Sequence, residues 1–153
     1  ALSGAGLLAD LAVARRERPL LVGPDAESAQ WVETAARRHG LDAIVCTKIR
    51  HGDREVEIAL PEAAEVAGRA VVLLDDVASS GRTLARAAER LLAAGAASVD
   101  VAVTHALFAG DALEVIRAAG VGEVWSTDCI AHPSNAVQIA PMLAEALREV
   151  LAD

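Results

Sequence analysis

Aromatic side chains are nearly absent from this chain of 153 residues, which contains two Trp, one Phe and no Tyr. Proteins that bind single-stranded nucleic acid stack bases on aromatic rings and present a basic surface. Here the formal net charge is −8, because 14 Lys and Arg face 22 Asp and Glu. The composition argues against nucleic-acid binding, although a few local cations and backbone N–H groups suffice for one small anionic ligand.

Cysteine and long apolar runs are also scarce. Cys46 and Cys129 each stand alone in their segments, which favours reduced thiols in a cytoplasmic protein over a disulfide or a metal site. No apolar run reaches the roughly 20 residues of a membrane-spanning helix, and the start of the chain lacks the basic region of a signal peptide. The chain opens without Met inside a predicted helix, which suggests a piece of something longer.

What the sequence does contain is an alternation of short apolar segments with amphipathic ones that end at Gly or Pro. The predicted strands cover 20–22, 43–47, 69–74, 98–104 and 123–127. The predicted helices cover 2–18, 26–39, 83–94, 111–119 and 141–152. Strands alternating with helices predict one three-layer α/β domain over 1–153, with a mostly parallel sheet of about five strands and helices on both faces. Residues 54–60 alternate polar and apolar, which predicts a half-exposed hairpin arm.

The strongest functional signal follows the most hydrophobic predicted strand. The sequence there reads Asp75-Asp76-Val77-Ala78-Ser79-Ser80-Gly81-Arg82-Thr83. In open parallel sheets, ligands bind beyond the carboxyl ends of the strands. Residues 80–83 lead into a helix N-terminus, whose free N–H groups and positive dipole end favour a phosphate. Gly81 lets the backbone approach the anion, and the Ser80 and Thr83 hydroxyls can donate to its oxygens.

The two aspartates need another explanation, because carboxylates repel phosphate. An ionised carboxylate accepts hydrogen bonds from vicinal hydroxyls, each worth roughly 1.5–3 kcal/mol. A ligand with a phosphate at one end and ribose hydroxyls at the other would satisfy both halves of the loop. The alternative is that Asp75 and Asp76 cap the next helix and Gly81 shapes a turn. The occurrence of both halves at this spacing favours a sugar 5-phosphate site.

These residues resemble the ribose-phosphate loop of the type I phosphoribosyltransferase fold. Further segments resemble one branch of it, the ribose-phosphate diphosphokinases, also called phosphoribosyl pyrophosphate synthetases. Gly23-Pro24-Asp25 is similar to their pyrophosphate-side loop, and Lys48-Ile49-Arg50 to the Lys-x-Arg that opens their mobile catalytic arm. Residues 104–108 and 127–130 resemble two more landmarks. The resemblance runs in order over nearly the whole chain and covers only the C-terminal of the family's two α/β halves.

The resemblance implies transfer of the diphosphate of Mg-ATP to C1 of ribose 5-phosphate, which gives phosphoribosyl pyrophosphate and AMP. On matched positions it implies that the 5-phosphate binds to Ser79, Ser80, Gly81, Arg82 and Thr83, and the ribose hydroxyls to Asp75 and Asp76. Asp25 would lie near Mg²⁺ or the ribose, and Lys48 and Arg50 would contact the migrating phosphates. It further implies a homo-oligomer, or a missing N-terminal domain that supplies adenine contacts.

Two positions depart from the family pattern. Ala26-Glu27-Ser28 stands where the family usually continues with glycines, and a Glu there should weaken pyrophosphate binding unless it faces solvent or helps with the metal. Arg82 stands where the synthetases commonly have Gly. Two alternatives stay open. One is a non-catalytic homologue that binds sugar phosphate or associates with an active synthetase. The other is a phosphoribosyltransferase, which would need a hood over the site for which neither end of this chain leaves room.

Four further side chains are expected to be structural. His105 and His132 have no second His or Cys at metal-ligand spacing, so we expect hydrogen-bonded structural histidines. Trp31 and Trp125 are expected to be anchors in the core or at an interface.

Overall fold

Strands and helices alternate through the part of the chain that the computed structural model describes, residues 2–51 and 55–152. The helices are α1 (Ala5–Arg15), α2 (Ala29–His39), α3 (Arg82–Ala93), α4 (Ala112–Ala118) and α5 (Ala140–Ala152), and a short 3-10 turn covers Ala26–Ser28. The strands are β1 (Leu20–Gly23), β2 (Ala43–Val45), β3 (Thr47–His51), β4 (Glu55–Ala59), β5 (Ala70–Ala78), β6 (Ser98–Ala106), β7 (Val124–Thr127) and β8 (Asn135–Val137). In these residues, no helix is both long and apolar enough to cross a bilayer.

Six of these strands form one parallel sheet in the order β2-β1-β5-β6-β7-β8. The predicted α/β class with a parallel sheet is therefore confirmed. The prediction of about five strands is approximately right, since the five predicted strands are present and β8 adds a short sixth one at the edge beside β7. Its three residues, Asn-Ala-Val, contain no apolar run from which a strand could be predicted.

The two central strands, β5 and β6, are buried on both faces. One face packs against α1 and α2 through a cluster that includes Leu8, Leu21, Val72, Leu74 and Trp125. The other face packs against α3 and α4 through a cluster that includes Leu73, Val101, Leu84, Leu91 and Ile116. A strand covered on both sides needs a continuous apolar run, as in Val71–Leu74, and each fully buried side chain of this size contributes roughly 1.5–3 kcal/mol.

The carboxyl end of β5 lies farther along the chain than the apolar run indicates. The strand was predicted to end at Leu74, but it continues through Asp75 and Asp76 to Ala78. The ladder to β6 continues with it, since Asp75 lies opposite Val103 and Val77 opposite His105. Backbone pairing does not require apolar side chains, so the strand outlasts its hydrophobic stretch. The two aspartates are therefore fixed on a strand and do not begin a loop.

β3 and β4 form an antiparallel hairpin, called the arm below, that stands apart from the main sheet. Of the hairpin segment predicted from residues 54–60, β4 contains 55–59, Leu60 follows the strand, and Arg54 lies outside the described residues. The predicted strand over 43–47 divides at Cys46, so that Thr47 begins the arm. Cys46 and Ile58 are both buried in the core below the arm, and Lys48 lies opposite Ile58 in the ladder. The base of the arm is thereby anchored in the core.

Gly81 is the N-cap residue directly before α3. Its backbone has φ at +72°, a conformation that other residues rarely adopt. A Cβ atom at this position would lie 2.9 Å from the Ala112 carbonyl oxygen and 2.9 Å from the Ile116 side chain. Such contacts are too short, so glycine is required both by the backbone angle and by the close packing of α4. The turn before α3 therefore requires a residue without a side chain at position 81.

We expect Gly81→Ala to destabilise the protein by about 2 kcal/mol or more. The left-handed backbone costs an Ala roughly 1–2 kcal/mol, and overpacking against α4 adds roughly 1–3 kcal/mol. Gly110→Ala is the matched control, because Gly110 has φ at +60° and nothing within 4 Å of its Cβ position. Urea unfolding should show a clearly larger loss for Gly81→Ala. Equal losses for the two variants would contradict the packing argument.

Candidate functional site

A pocket of about 290 Å³ opens at the carboxyl ends of β1 and β5, where the N-terminus of α3 and the base of the arm also meet. This position at the carboxyl edge of a parallel sheet is the one expected for a ligand. The pocket is called the first pocket, and its lining residues are Asp25, Glu27, Trp31, Lys48, Asp75, Asp76, Val77, Ala78, Ser79, Ser80, Gly81, Thr83 and Leu84.

The turn from β5 into α3 forms one wall of the first pocket. It is held from behind by β6 and the residues after it, since the Phe108 N–H donates to the Ala78 carbonyl at 2.8 Å and the Ala109 N–H to the Ser79 carbonyl at 2.9 Å. The first N–H groups of a helix have no acceptor within the helix, and here the N-cap residue Gly81 has no side chain to supply one. Ser80 Oγ accepts from the Arg82 N–H over a long 3.5 Å. Together with the hydroxyls of Ser79, Ser80 and Thr83, these groups offer several donors to an anion of phosphate size.

The two aspartates of β5, Asp75 and Asp76, also line the first pocket. The backbone N–H of Asp76 donates to Asp75 Oδ1 at 2.9 Å, and His105 Nε2 lies 3.8 Å from Asp76 Oδ1. Burial raises the pKa of Asp75 from 3.8 to about 6, and the nearby charges of Asp25 and Asp76 act in the same direction. The hydrogen bond from Asp76 and the charge of Lys48 partly oppose this rise. Asp75 is thus a carboxylate that lacks sufficient hydrogen-bond donors.

Asp25, at the end of β1, is joined to the arm by an ion pair. Its Oδ2 lies 2.5 Å from Lys48 Nζ, and its Oδ1 accepts from the Glu27 N–H at 3.2 Å. Ser28 fixes the same turn, because its buried hydroxyl donates to the Asp25 carbonyl at 2.6 Å. Burial and the charge of Asp25 raise the pKa of the Cys46 thiol to about 12. Lys48, the only lysine in the sequence, therefore lies at the pocket with its ammonium on a carboxylate.

Most of the residues selected from the sequence meet in this one pocket. Those that line it are Asp25, Lys48, Asp75, Asp76, Ser79, Ser80, Gly81 and Thr83. Arg50 and Arg82 are not part of its lining. Arg50 lies two residues farther along β3, opposite Val56, and its side chain is exposed. Arg82 is exposed on the first turn of α3.

The family to which the chain is related is shown by comparison with known proteins. A family model described as the phosphoribosyl transferase domain matches residues 4–122, which is more than half of the chain. The chain belongs to this family. The resemblance of this phosphoribosyl transferase domain to the ribose-phosphate diphosphokinases is confirmed by its curated relatives, which carry the equivalent name ribose-phosphate pyrophosphokinase.

Two of these relatives come from Archaeoglobus fulgidus and one from Streptomyces avermitilis. Ribose-phosphate pyrophosphokinase 1 of A. fulgidus is 38% identical over 127 residues, which cover 83% of this chain and 44% of the relative. Its pyrophosphokinase 2 is 35% identical over 126 residues, covering 82% and 46%. The S. avermitilis enzyme is 32% identical over 157 residues, covering 96% and 48%. The chain therefore spans about half the length of the curated relatives it matches.

Solved structures agree with this assignment. The phosphoribosylpyrophosphate synthetase of Mycobacterium smegmatis superposes with a TM-score of 0.74 at 26% identity, covering 97% of this chain and 51% of that one. The adenine phosphoribosyl transferase of Trypanosoma brucei, solved with AMP, pyrophosphate and ribose-5-phosphate, gives a TM-score of 0.61 at 17% identity and covers 85% of this chain and 67% of that one. At that identity the second likeness shows the shared fold alone.

The phosphoribosyl transferase domain has a second, larger pocket on the other side of Asp75 and Asp76. Its volume is about 740 Å³, and it lies between α1, α2 and α5. Trp31 lines both pockets, although the sequence suggested only a core or interface anchor, and its buried Nε1 has no hydrogen-bond partner in the described residues. In the helix predicted over 26–39, Glu27 and Trp31 are four residues apart, which would place both side chains on one side of it, although Glu27 in fact lies in the 3-10 turn. That spacing is the signal from which Trp31 could have been found.

The chemistry of the first pocket fits a magnesium ion that is held partly by ligands from outside the protein. Its acidic lining includes Asp25, Asp75 and Asp76, and carboxylate oxygens are ligands that Mg²⁺ prefers. In the described ranges, no group of three or more His, Cys, Asp or Glu side chains is close enough to hold an ion by itself. Proteins often bind Mg²⁺ through one or two carboxylates plus substrate phosphates and water. The pocket can provide this arrangement.

We expect Asp75→Asn to stabilise the protein, and more so at pH 8 than at pH 5. The folded state raises the pKa of Asp75 to about 6, so it retains a proton that the unfolded state releases. The parent therefore loses stability as the pH rises from about 4 to about 6, whereas the variant does not. Because Asp75 is partly exposed, the full gain should be on the order of 1 kcal/mol.

Urea unfolding of both proteins at pH 5, 6, 7 and 8 measures this difference. Asp111→Asn provides the control, because Asp111 is an exposed carboxylate at the start of α4 whose side chain makes no capping hydrogen bond there. Its effect should be the same at pH 5 and pH 8. A stability difference for Asp75→Asn that is also independent of pH would show that burial does not raise the pKa of this carboxyl.

Proposed function

We propose that this chain is the C-terminal, catalytic half of a cytoplasmic ribose-phosphate diphosphokinase, which transfers the diphosphate of Mg-ATP to C1 of ribose 5-phosphate. The observation that carries the proposal is the composition of the first pocket. Donors at the turn before α3, the carboxylates of β5 and the Lys48 ammonium all face one cavity of about 290 Å³. The missing N-terminal half, or another copy in a homo-oligomer, would supply the adenine contacts.

In this proposal the sugar phosphate spans the first pocket from one wall to the other. The 5-phosphate binds to residues 79–83, where helix N–H groups and hydroxyls are the donors, and the exposed Arg82 side chain would turn toward the bound phosphate. The ribose hydroxyls donate to Asp75 and Asp76. At neutral pH Asp75 is mostly ionised, since its pKa is about 6, and the hydroxyls supply the donors that it lacks. Ligand binding thereby relieves the electrostatic cost of the carboxylate pair.

The proposed reaction is attack by the C1 hydroxyl oxygen of ribose on the β-phosphorus of ATP. A C1–O–P bond forms, the bond from the β-phosphorus to the oxygen that bridges it to the α-phosphorus breaks, and AMP leaves with that oxygen. The hydroxyl proton passes to solvent. Diphosphoryl transfer depends mainly on positioning and on neutralising charge, so Lys48 and Arg50 would act on the migrating phosphates.

Lys48 and Asp25 would change partners when ATP binds. The Lys48 ammonium moves from Asp25 to the phosphate oxygens, which frees the Asp25 carboxylate to hold Mg²⁺. The bound ion would neutralise part of the negative charge on the diphosphate. This exchange lets Lys48 stabilise the transition state more strongly than the free enzyme, as catalysis requires.

A second candidate function is supported by Glu27. This residue occupies a loop that usually carries glycines in the diphosphokinases, and its side chain lines the first pocket. A carboxylate beside the proposed diphosphate path would repel the substrate. A non-catalytic homologue that binds ribose 5-phosphate, or associates with an active synthetase, would tolerate this charge.

We expect the protein, as its gene encodes it, to bind ribose 5-phosphate with Mg²⁺ in a calorimetric titration, and Asp76→Asn to weaken binding about 10-fold or more. That factor corresponds to about 1.4 kcal/mol for one lost charged hydrogen bond. Glu62→Gln removes the same charge from an exposed turn outside both pockets and should leave the affinity unchanged. If Asp76→Asn binds as tightly as the parent, the ribose does not contact this carboxylate.

We expect Lys48→Ala to reduce the turnover of phosphoribosyl pyrophosphate formation about 100-fold or more, with less than about a 3-fold change in ribose 5-phosphate affinity. The ammonium acts on the migrating phosphates and not on the sugar. Single-turnover formation of AMP from ATP measures the first quantity and calorimetry the second. A parent that binds ribose 5-phosphate but forms no AMP would favour the non-catalytic homologue.

A further inference from the structure

We infer that Arg90 is a positioning residue for Lys48 and that α3 fixes the distance between the phosphate turn and this lysine. The inference rests on the proposed function, because it assumes that Lys48 acts on the migrating phosphates and must be held at the right position. Its basis is a set of contacts between the outer side of α3 and the arm, none of which lies in the first pocket.

Arg90 holds the strand of the arm that lies beside Lys48. Its Nε donates to the Ile58 carbonyl at 2.9 Å, and its Nη2 contacts Glu57 Oε1 at 2.6 Å. Ile58 is the residue directly opposite Lys48 in the ladder. The guanidinium is the appropriate group, because its fixed fork can donate to a backbone carbonyl and to a carboxylate at the same time.

Arg86 makes the corresponding contact farther along the arm. Its Nη1 donates to the Val56 carbonyl, and Val56 lies opposite Arg50. Carbonyls two residues apart on a strand recur about every 6.8 Å, and side chains four residues apart on a helix recur about every 6 Å. The spacing of the two arginines on α3 therefore matches the spacing of the Val56 and Ile58 carbonyls, which lie two residues apart on β4. This match fixes how the arm aligns with α3.

The other end of α3 is the proposed phosphate site. The helix begins at Arg82, directly after Gly81, and Gly81, Thr83 and Leu84 line the first pocket. One rigid element thus carries the phosphate donors at its first turn and the anchors of the arm at its second and third turns. The buried side chain of Ile58 packs in the same core cluster as Leu84 and Leu91 of this helix. Consequently, α3 sets the distance between Lys48 and the turn that precedes this helix.

The first test is Arg90→Gln in the protein as its gene encodes it. Displacement of Lys48 by about 1 Å should lower kcat about 10-fold to 100-fold, while the KM for ribose 5-phosphate changes less than about 3-fold. Arg90→Lys should recover only part of the loss, because one ammonium cannot make both contacts. Arg117→Gln, at an exposed arginine of α4 that makes no hydrogen bond or ion pair with the described residues of the arm, should retain full turnover.

A double-mutant cycle separates positioning from general damage. If Arg90 acts through Lys48, adding Arg90→Gln to Lys48→Ala should lower kcat by less than about 2-fold further. An additional loss equal to that of Arg90→Gln alone would overturn the inference, and so would a proportional rise in KM for ribose 5-phosphate. Arg86→Gln provides a second variant, and it should shift kcat in the same direction but less, because Arg86 makes one contact with the arm and Arg90 makes two.

The reactivity of Lys48 tests the inference without any turnover. The ammonium is held on Asp25, so acylation by acetic anhydride, followed by peptide mapping, should be slow at Lys48 in the parent. We expect Arg90→Gln to raise its rate about 3-fold or more, and Arg117→Gln to leave it unchanged. An unchanged rate in Arg90→Gln would overturn the inference. This readout remains valid if the protein proves to be the non-catalytic homologue.

Discussion

Electrostatic repulsion among negative charges at one edge of the sheet is the constraint on which the site depends. Asp25, Asp75 and Asp76 line the same small pocket, and burial together with mutual repulsion raises the pKa of Asp75 to about 6. A phosphate would add further negative charge only a few ångströms away. The two kinds of group lie on different segments, with Asp75 and Asp76 on β5, Asp25 just after β1, and the helix N–H donors on the turn before α3. Lys48 pairs with Asp25 and thereby joins the base of the arm to the pocket.

The sequence was sufficient for the sheet and for most of the pocket, for the same physical reason. Runs such as Val71–Leu74 identify strands that are buried on both faces, and alternation with helices makes those strands parallel. The carboxyl ends of parallel strands meet at one edge, so Asp25 after β1 and Asp75 after the apolar run of β5 were bound to come close. Gly81 was predicted to let the backbone approach an anion, which stays a prediction, and its φ of +72° shows a separate, conformational reason for glycine at this position.

The remaining features depend on contacts between distant residues, which local patterns do not contain. The continuation of β5 through Asp76 is determined by its pairing with β6, and β8 by its pairing with β7. Arg50 and Arg82 stand next to the predicted motifs in the sequence, but this position does not reveal that their side chains lie outside the lining of the first pocket. The two contacts of Arg90 cross 32 and 33 positions along the chain, and nothing in the spacing of α3 distinguishes this arginine from an ordinary surface charge.

Because α3 carries the phosphate turn at one end and the anchors of the arm farther along, insertions and deletions within this helix should not be tolerated. Each residue of a helix turns it by about 100°, since 3.6 residues complete one turn. An insertion or deletion of one residue between Thr83 and Arg86 would leave the glycine turn intact but rotate both arginines away from β4. The number of residues from Gly81 to Arg90 should therefore be invariant in homologues that keep both ends of the helix. Helix α5, which buries none of its residues in this structure, is under no such restriction here.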